Sequence, residues 1–258
     1  MITIKTEKEI ALLREGGKRH AIILSALASA VRPGLKTSDL NDLAVRLIMK
    51  GGDTPAFLHY TPKGASRPYP AAVCISVNNE VVHGIPHENP RILKVGDIVS
   101  LDLGITHNGM ITDAAVTVPV GKISSISQTL IDVTHKALKA GIVAARGGNH
   151  VGDIGYAVSQ VVQGSTFSIV EELTGHGVGH AVHEDPYIPN IGKKGEGAKL
   201  KPGMVIAIEP IINEGSPEIV FDDSDGYTVR TTDGKKSAHF EHTLLITEDA
   251  PEVLTALS

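Results

Sequence analysis

The sequence predicts an α+β fold, and three observations carry that prediction. Apolar residues recur at helical spacing in four stretches. Short strand-like apolar segments gather between and after those stretches. The two kinds of segment do not alternate strictly, as the crossover units of a parallel sheet would require. The chain has 258 residues, 41% hydrophobic and 21% charged, which is a globular composition for one large domain.

Thr6-Glu7-Lys8-Glu9 has the form of a capping box ahead of Ile10, Leu12 and Leu13. It predicts a first helix reaching about Val31. Thr37 or Ser38 opens a second helix, in which Leu40, Leu43, Ala44, Leu47 and Ile48 form one apolar face. Gly51-Gly52 ends it. Strands are predicted over 72–77, 98–105 and 114–120. Helices follow over 124–145 and 152–163, and strands return over 168–173, 205–212, 228–232 and 239–247.

The net charge is −5 and no block of like charges occurs, which argues against a nucleic-acid scaffold or a polybasic membrane binder. Cys74 is the single cysteine, so an intrachain disulfide framework and a cysteine-rich zinc site are excluded. The N-terminus lacks the basic start and apolar core of a secretory signal. The longest apolar run, 21–31, is too short to span a bilayer. A soluble, cytoplasmic protein is expected.

A weak duplication runs through the chain. Arg32 to Leu40 and Arg146 to Ile154 both read Arg-x-Gly-x4-Asp-aliphatic. Leu93 to Asp102 and Leu200 to Glu209 match without a gap. A single domain over 1–258 is therefore expected, built from two similar halves at roughly 1–122 and 123–258. Each would be a helix pair followed by a hairpin.

Both copies of the second match end their apolar strand on a carboxylate, Asp102 and Glu209. Each return strand brings another, Asp113 and Glu241. A carboxylate in an apolar strand is costly to bury unless it is paired or binds a cation. Few basic residues accompany these strands, so four converging acids would need cations between them.

Histidine is the commonest metal ligand and acid/base catalyst near neutral pH, and twelve are present. Three, His176, His180 and His183, fall within the glycine-rich segment 174–186. The segment fits neither the His-Glu-x-x-His zinc pattern nor the dinucleotide fingerprint. On spacing alone each of the three reads equally as a ligand or catalyst, or as a hydrogen-bonded loop residue. His83, on a turn bounded by Gly84 and Pro86, reads on its own as a structural residue.

Five motifs in order make the chain resemble the methionine aminopeptidases of the pita-bread fold, type I form, over nearly its whole length. They are Val73 to Pro86, the pair Asp102 and Asp113, Gly175 to Gly179 with His183-Glu184, Ile208-Glu209-Pro210, and Phe240 to Thr243. The resemblance implies two pseudo-symmetric halves around a curved central sheet, with a two-metal site between them. It implies that Asp102, Asp113, His176, Glu209 and Glu241 are the metal ligands. Asp113 and Glu241 would bridge, Asp102 would serve one ion, and His176 and Glu209 the other. It implies two divalent ions per chain, from among Co, Mn, Fe, Zn and Ni; an oxygen-rich set suits several of these.

The implied activity is removal of N-terminal methionine from nascent proteins and peptides, with a small second residue preferred. A hydroxide bridging the metals would attack the first peptide bond. Glu209 would carry the proton. His83 and His183 would hydrogen-bond the substrate and its tetrahedral intermediate. Tyr69, Cys74 and Tyr227 would line the methionine pocket, with Phe57 and Tyr60 as weaker candidates. Departures from the family pattern fall around that pocket: Tyr227 where Trp is common, Val182 where Phe is common, and an insertion at 61–68.

The resemblance further implies a monomer acting on nascent chains at the ribosome, with no nucleic-acid or membrane partner of its own. X-Pro hydrolases share the fold but carry a large N-terminal domain, and only 82 residues precede His83. The type II aminopeptidases carry a helical insertion for which the 26 positions from His183 to Glu209 leave no room.

Overall fold

In a computed structural model, which describes residues 2–257, four helices and fifteen strands form. Helices α1 (Glu7–Ala30) and α2 (Thr37–Lys50) come first. Strands β1 (Thr54–Pro55), β2 (Val73–Val77), β3 (Glu80–Val82), β4 (Ile98–His107) and β5 (Met110–Pro119) follow. Next are α3 (Ser125–Ala144) and α4 (Val151–Val162). Then come β6 (Ser168–Ile169), β7 (Gly175–Gly177), β8 (Glu184–Ile188), β9 (Val205–Ile208) and β10 (Ile211–Asn213). The chain closes with β11 (Ile219–Phe221), β12 (Val229–Thr231), β13 (Ser237–His239), β14 (Glu241–Leu245) and β15 (Glu252–Val253).

The capping box at the start of α1 forms as the sequence predicts. Thr6 Oγ1 accepts the Glu9 N–H, and Glu9 Oε2 accepts the Thr6 N–H at 2.7 Å. The two Arg-x-Gly-x4-Asp stretches fold alike. Asp39 accepts the N–H of Lys36 ahead of α2, and Asp153 accepts that of His150 ahead of α4. Gly34 donates to the Leu93 carbonyl at 2.8 Å, and Gly148 to the Leu200 carbonyl at 2.9 Å. Both turns that follow place a glycine in the left-handed region, Gly96 at φ 99° and Gly203 at φ 87°, which other residues enter at a steric cost.

All pairings in the nine-stranded sheet are antiparallel. Its central part runs β2-β4-β5-β14-β9-β7, and the two hairpin units meet where β5 pairs with β14. Side chains alternate faces along each strand, so the register sorts them. On one face Leu101, Leu103 and Ile75 pack with Leu27 of α1 and Leu40 and Ile48 of α2. Ile206, Ile208 and Leu244 pack on the same side with Leu130 and Leu138 of α3 and Ile154 of α4. The helices thus cover one face with two apolar cores. The other face is left for different chemistry.

Several strand boundaries differ from expectation; β5, for one, begins at Met110 and not at 114. Residues 205–212 break into β9 and β10 at Glu209-Pro210, since proline has no N–H to continue the ladder. The expected strand 239–247 is interrupted at Phe240, with β13 ending at His239 and β14 running from Glu241 to Leu245. The expected strand 168–173 shortens to Ser168–Ile169.

Candidate metal centre

The register of the sheet builds the centre. Cys74 lies opposite Asp102, Asp102 opposite Ala115, and Ala115 opposite Glu241. Asp113 is two residues from Ala115 on the same strand and so shares its face. Thr243, two residues beyond Glu241, lies opposite Ala207, which lies opposite His176. Glu209 follows Ala207 by two. One alternation therefore brings Cys74, Asp102, Asp113, His176, Glu209 and Glu241 to the face that the helices do not cover. Thr243 locks the seam: its Oγ1 accepts the Asp113 N–H at 2.8 Å and donates to the Asp113 carbonyl at 2.7 Å.

These side chains surround a cavity of about 170 Å³. Atoms of Asp113, His176 and Glu241 lie within 4.8 Å of one another, as ligands of one ion would. Glu209 Oε1 stands 3.3 Å from His176 Nε2. His176 Nδ1 donates to the Gly177 carbonyl at 2.9 Å, which leaves the Nε2 lone pair facing the acids. Burial holds that imidazole neutral, its pKa lowered to about 3.

Burial acts on the acids in the opposite sense. It raises Asp102 to about 7, and with the neighbouring carboxylates it lifts Asp113, Glu209 and Glu241 well above the carboxylate range. Among the described residues, Asp102 Oδ1, Asp113 Oδ1 and Glu241 Oε1 are buried without a hydrogen-bond partner. No Lys or Arg lines the cavity, so separate salt bridges do not account for the acids. Acceptor oxygens without donors, beside a neutral imidazole nitrogen, fit divalent cations.

His83 and His183 also line the cavity. The ring of His183 meets that of His176 edge-on at 4.4 Å, and the Tyr60 hydroxyl lies 2.8 Å from His183 Nδ1. His83 takes φ 59°, a left-handed conformation uncommon for a residue with a side chain, and burial lowers its pKa to about 4. His180 points elsewhere; its Nε2 pairs with Glu9 at 2.7 Å.

The cavity's apolar wall is formed by Phe57, Tyr69, Cys74, Val182 and Tyr227. Tyr69 and Tyr227 pack edge to face at 5.1 Å. From the 61–68 segment, Pro62 lines the cavity. Arg67 of the same segment binds both oxygens of Glu88 at 2.6 and 2.7 Å and donates to the Asp225 carbonyl at 2.8 Å, and the Tyr227 hydroxyl donates to the Arg67 carbonyl.

One member of the centre was not predicted from the sequence. His239 is 2% exposed, and its Nε2 lies 3.6 Å from Glu209 and 4.0 Å from Glu241. Its place two residues before Glu241 is the alternation signal that could have found it.

The profile of metallopeptidase family M24 matches residues 11–248. The chain belongs to this family. Within it, the chain groups with the methionine aminopeptidases. It is 44% identical over 255 residues to methionine aminopeptidase 1 of Bacillus subtilis, which spans 99% of both chains. It is 46% identical to the methionine aminopeptidase of Clostridium perfringens over the full length of both. The crystal structure of the Thermotoga maritima methionine aminopeptidase superposes with a TM-score of 0.94 at 40% identity, covering 100% of each chain. The prolidase of Pyrococcus furiosus, at 23% identity and a TM-score of 0.74, shares the fold, and this M24 chain covers 66% of it.

Proposed function

We propose that this metallopeptidase removes N-terminal methionine from nascent proteins and peptides. The observation that carries the reading is one cavity with two walls, one of unpaired buried carboxylates and one of apolar side chains. The relatives named methionine aminopeptidase, alike over the whole chain, support it. The methionine side chain lies against Tyr69, Cys74 and Tyr227, which brings the first peptide bond to the acids.

Asp102, Asp113, His176, Glu209 and Glu241 would hold two divalent ions. When bound, the ions supply a water acidic enough to ionise near neutral pH and a Lewis acid for the carbonyl. Glu209 takes a proton onto its carboxylate and passes it to the departing amine nitrogen. His83 and His183, kept neutral by burial, hydrogen-bond the amide and the oxygen that gains charge. The crowding of these groups around the bond favours a small second residue.

We read the chain as one catalytic domain of two similar halves, since equivalent bonds precede α2 and α4 and the sheet order mirrors itself about the β5–β14 seam. Among the described residues no helix is long and apolar enough to cross a membrane. The enzyme acts as a monomer in the cytoplasm, where nascent chains leave the ribosome. The experiment is hydrolysis of Met-Ala-Ser and of Ala-Pro-Ala by metal-stripped protein reloaded with Mn, Co, Fe, Zn or Ni. Methionine release is expected. Absence of release with every metal, or a preference for Ala-Pro-Ala, overturns the reading.

A further inference from the structure

His183 lies in the loop joining β7 to β8, and neighbouring residues of that loop are held by a buried ion pair that the chemistry above does not use. Lys5 Nζ meets Glu184 Oε2 at 2.7 Å, with the lysine side chain fully buried and that of Glu184 8% exposed. The same oxygen accepts from Thr3 Oγ1 at 2.6 Å, and Lys5 Nζ also donates to Thr3 Oγ1. The other oxygen, Oε1, turns back on its own loop and accepts the N–H groups of His180 at 2.5 Å and Ala181 at 3.1 Å. One carboxylate thus ties residues 3–5 to the loop that carries His183.

The lysine chain crosses the loop at Gly179. A Cβ there would come within 2.5 Å of Lys5 Cε, and Gly179 has φ 136°. The strap is anchored at its far side, where the Lys5 N–H donates to the Gly203 carbonyl at 2.8 Å. A charged pair this deep is seldom the most stabilising choice, since apolar side chains of similar volume often do as well. What the pair supplies that apolar groups lack is direction: Lys5 and Thr3 hold one carboxylate oxygen, so that the other meets the two backbone N–H groups of His180 and Ala181, just before His183.

We propose that Lys5 and Glu184 are positioning residues: their buried pair fixes the loop that aims His183 into the cavity. The proposal rests on the role read for His183 above. Loop slack of about an ångström at a group that must meet the reacting amide lowers turnover on the order of 10- to 100-fold.

The test compares the parent with Lys5→Met, Lys5→Arg, Glu184→Gln and the double variant K5M/E184L, all loaded with Mn. Melting temperature, Mn affinity, and kcat and KM for Met-Ala-Ser are measured on each. Lys5→Met and Glu184→Gln are expected to lose about tenfold or more in kcat, with KM within about twofold and Mn affinity unchanged. Lys5→Arg should recover most of the kcat. The neutral double variant should recover melting temperature but not kcat. Loss of stability and turnover together in the single variants, with both restored in the double variant, makes the pair purely structural and overturns the proposal. So does a kcat within twofold of the parent in folded Lys5→Met. A parent that releases no methionine overturns the functional reading, and this inference with it.

Discussion

Burial lifts the Asp102 carboxyl to a pKa of about 7, and that shift separates the stability of the metal-free protein from its activity. A folded-state value above the ordinary one means that the folded chain binds the extra proton between about pH 4 and 7. Metal-free protein therefore loses stability as pH rises through that window. Asp102→Asn removes this part of the loss. Denaturant melts at pH 5 and pH 8 should show the variant gaining on the parent at the higher pH, by about 1 kcal/mol or more. The same variant should lose metal-dependent turnover by more than about 100-fold, the upper range for groups that only support ligands. A variant with undiminished turnover takes Asp102 out of the centre. At this scale the sequence was informative about the acids, because a charged residue ending an apolar run demands a reason. His239 ends no apolar run; only its place two residues before Glu241 pointed to it.

Between elements, the site depends on the seam where β5 meets β14. Thr243 bonds both the N–H and the carbonyl of Asp113 across it. Thr243→Val leaves both groups buried and unpaired, and is expected to cost about 1–3 kcal/mol. It should also weaken metal binding, because the Asp113 carboxylate rides on that backbone. Urea melts with and without Mn check both effects, and an unchanged Mn affinity contradicts the second. All four helices were legible from periodicity and caps. The strand holding Asp113 was only partly so: it begins at Met110, whereas an apolar run begins at Ala114. Thr112 and Asp113 hid its start, because this strand turns a polar side chain to the cavity where a core strand would turn an apolar one. The break at Glu209-Pro210 was missed, although the proline signals it, and it ends β9 just before Glu209.

Across the whole molecule, acids from both halves line one cavity, so ions bound there should tie the halves into one cooperative unit. Binding to the folded chain alone stabilises it by about 2.7 kcal/mol at a hundredfold excess over Kd. At pH 8, chelator-treated protein should melt earlier than Mn-loaded protein, and the whole transition should shift. A shift confined to part of a biphasic melt contradicts a centre shared by both halves. The fold and the family were legible because the five motifs run in order through the chain. The contacts of the 61–68 segment were not. The clasp that Arg67 makes to Glu88, Asp225 and Tyr227 joins segments distant in sequence, and nothing in the spacing of those residues announces it.

The most direct test follows bound metal and product together. Metal-stripped protein is titrated with Mn while ions bound per chain and methionine released from Met-Ala-Ser are measured in the same samples. Release should appear as ions enter and level off by two per chain. Glu241→Gln, treated identically, should bind fewer ions and release little. Ions bound without methionine release, or release that persists in Glu241→Gln at the parent's rate, would contradict the account.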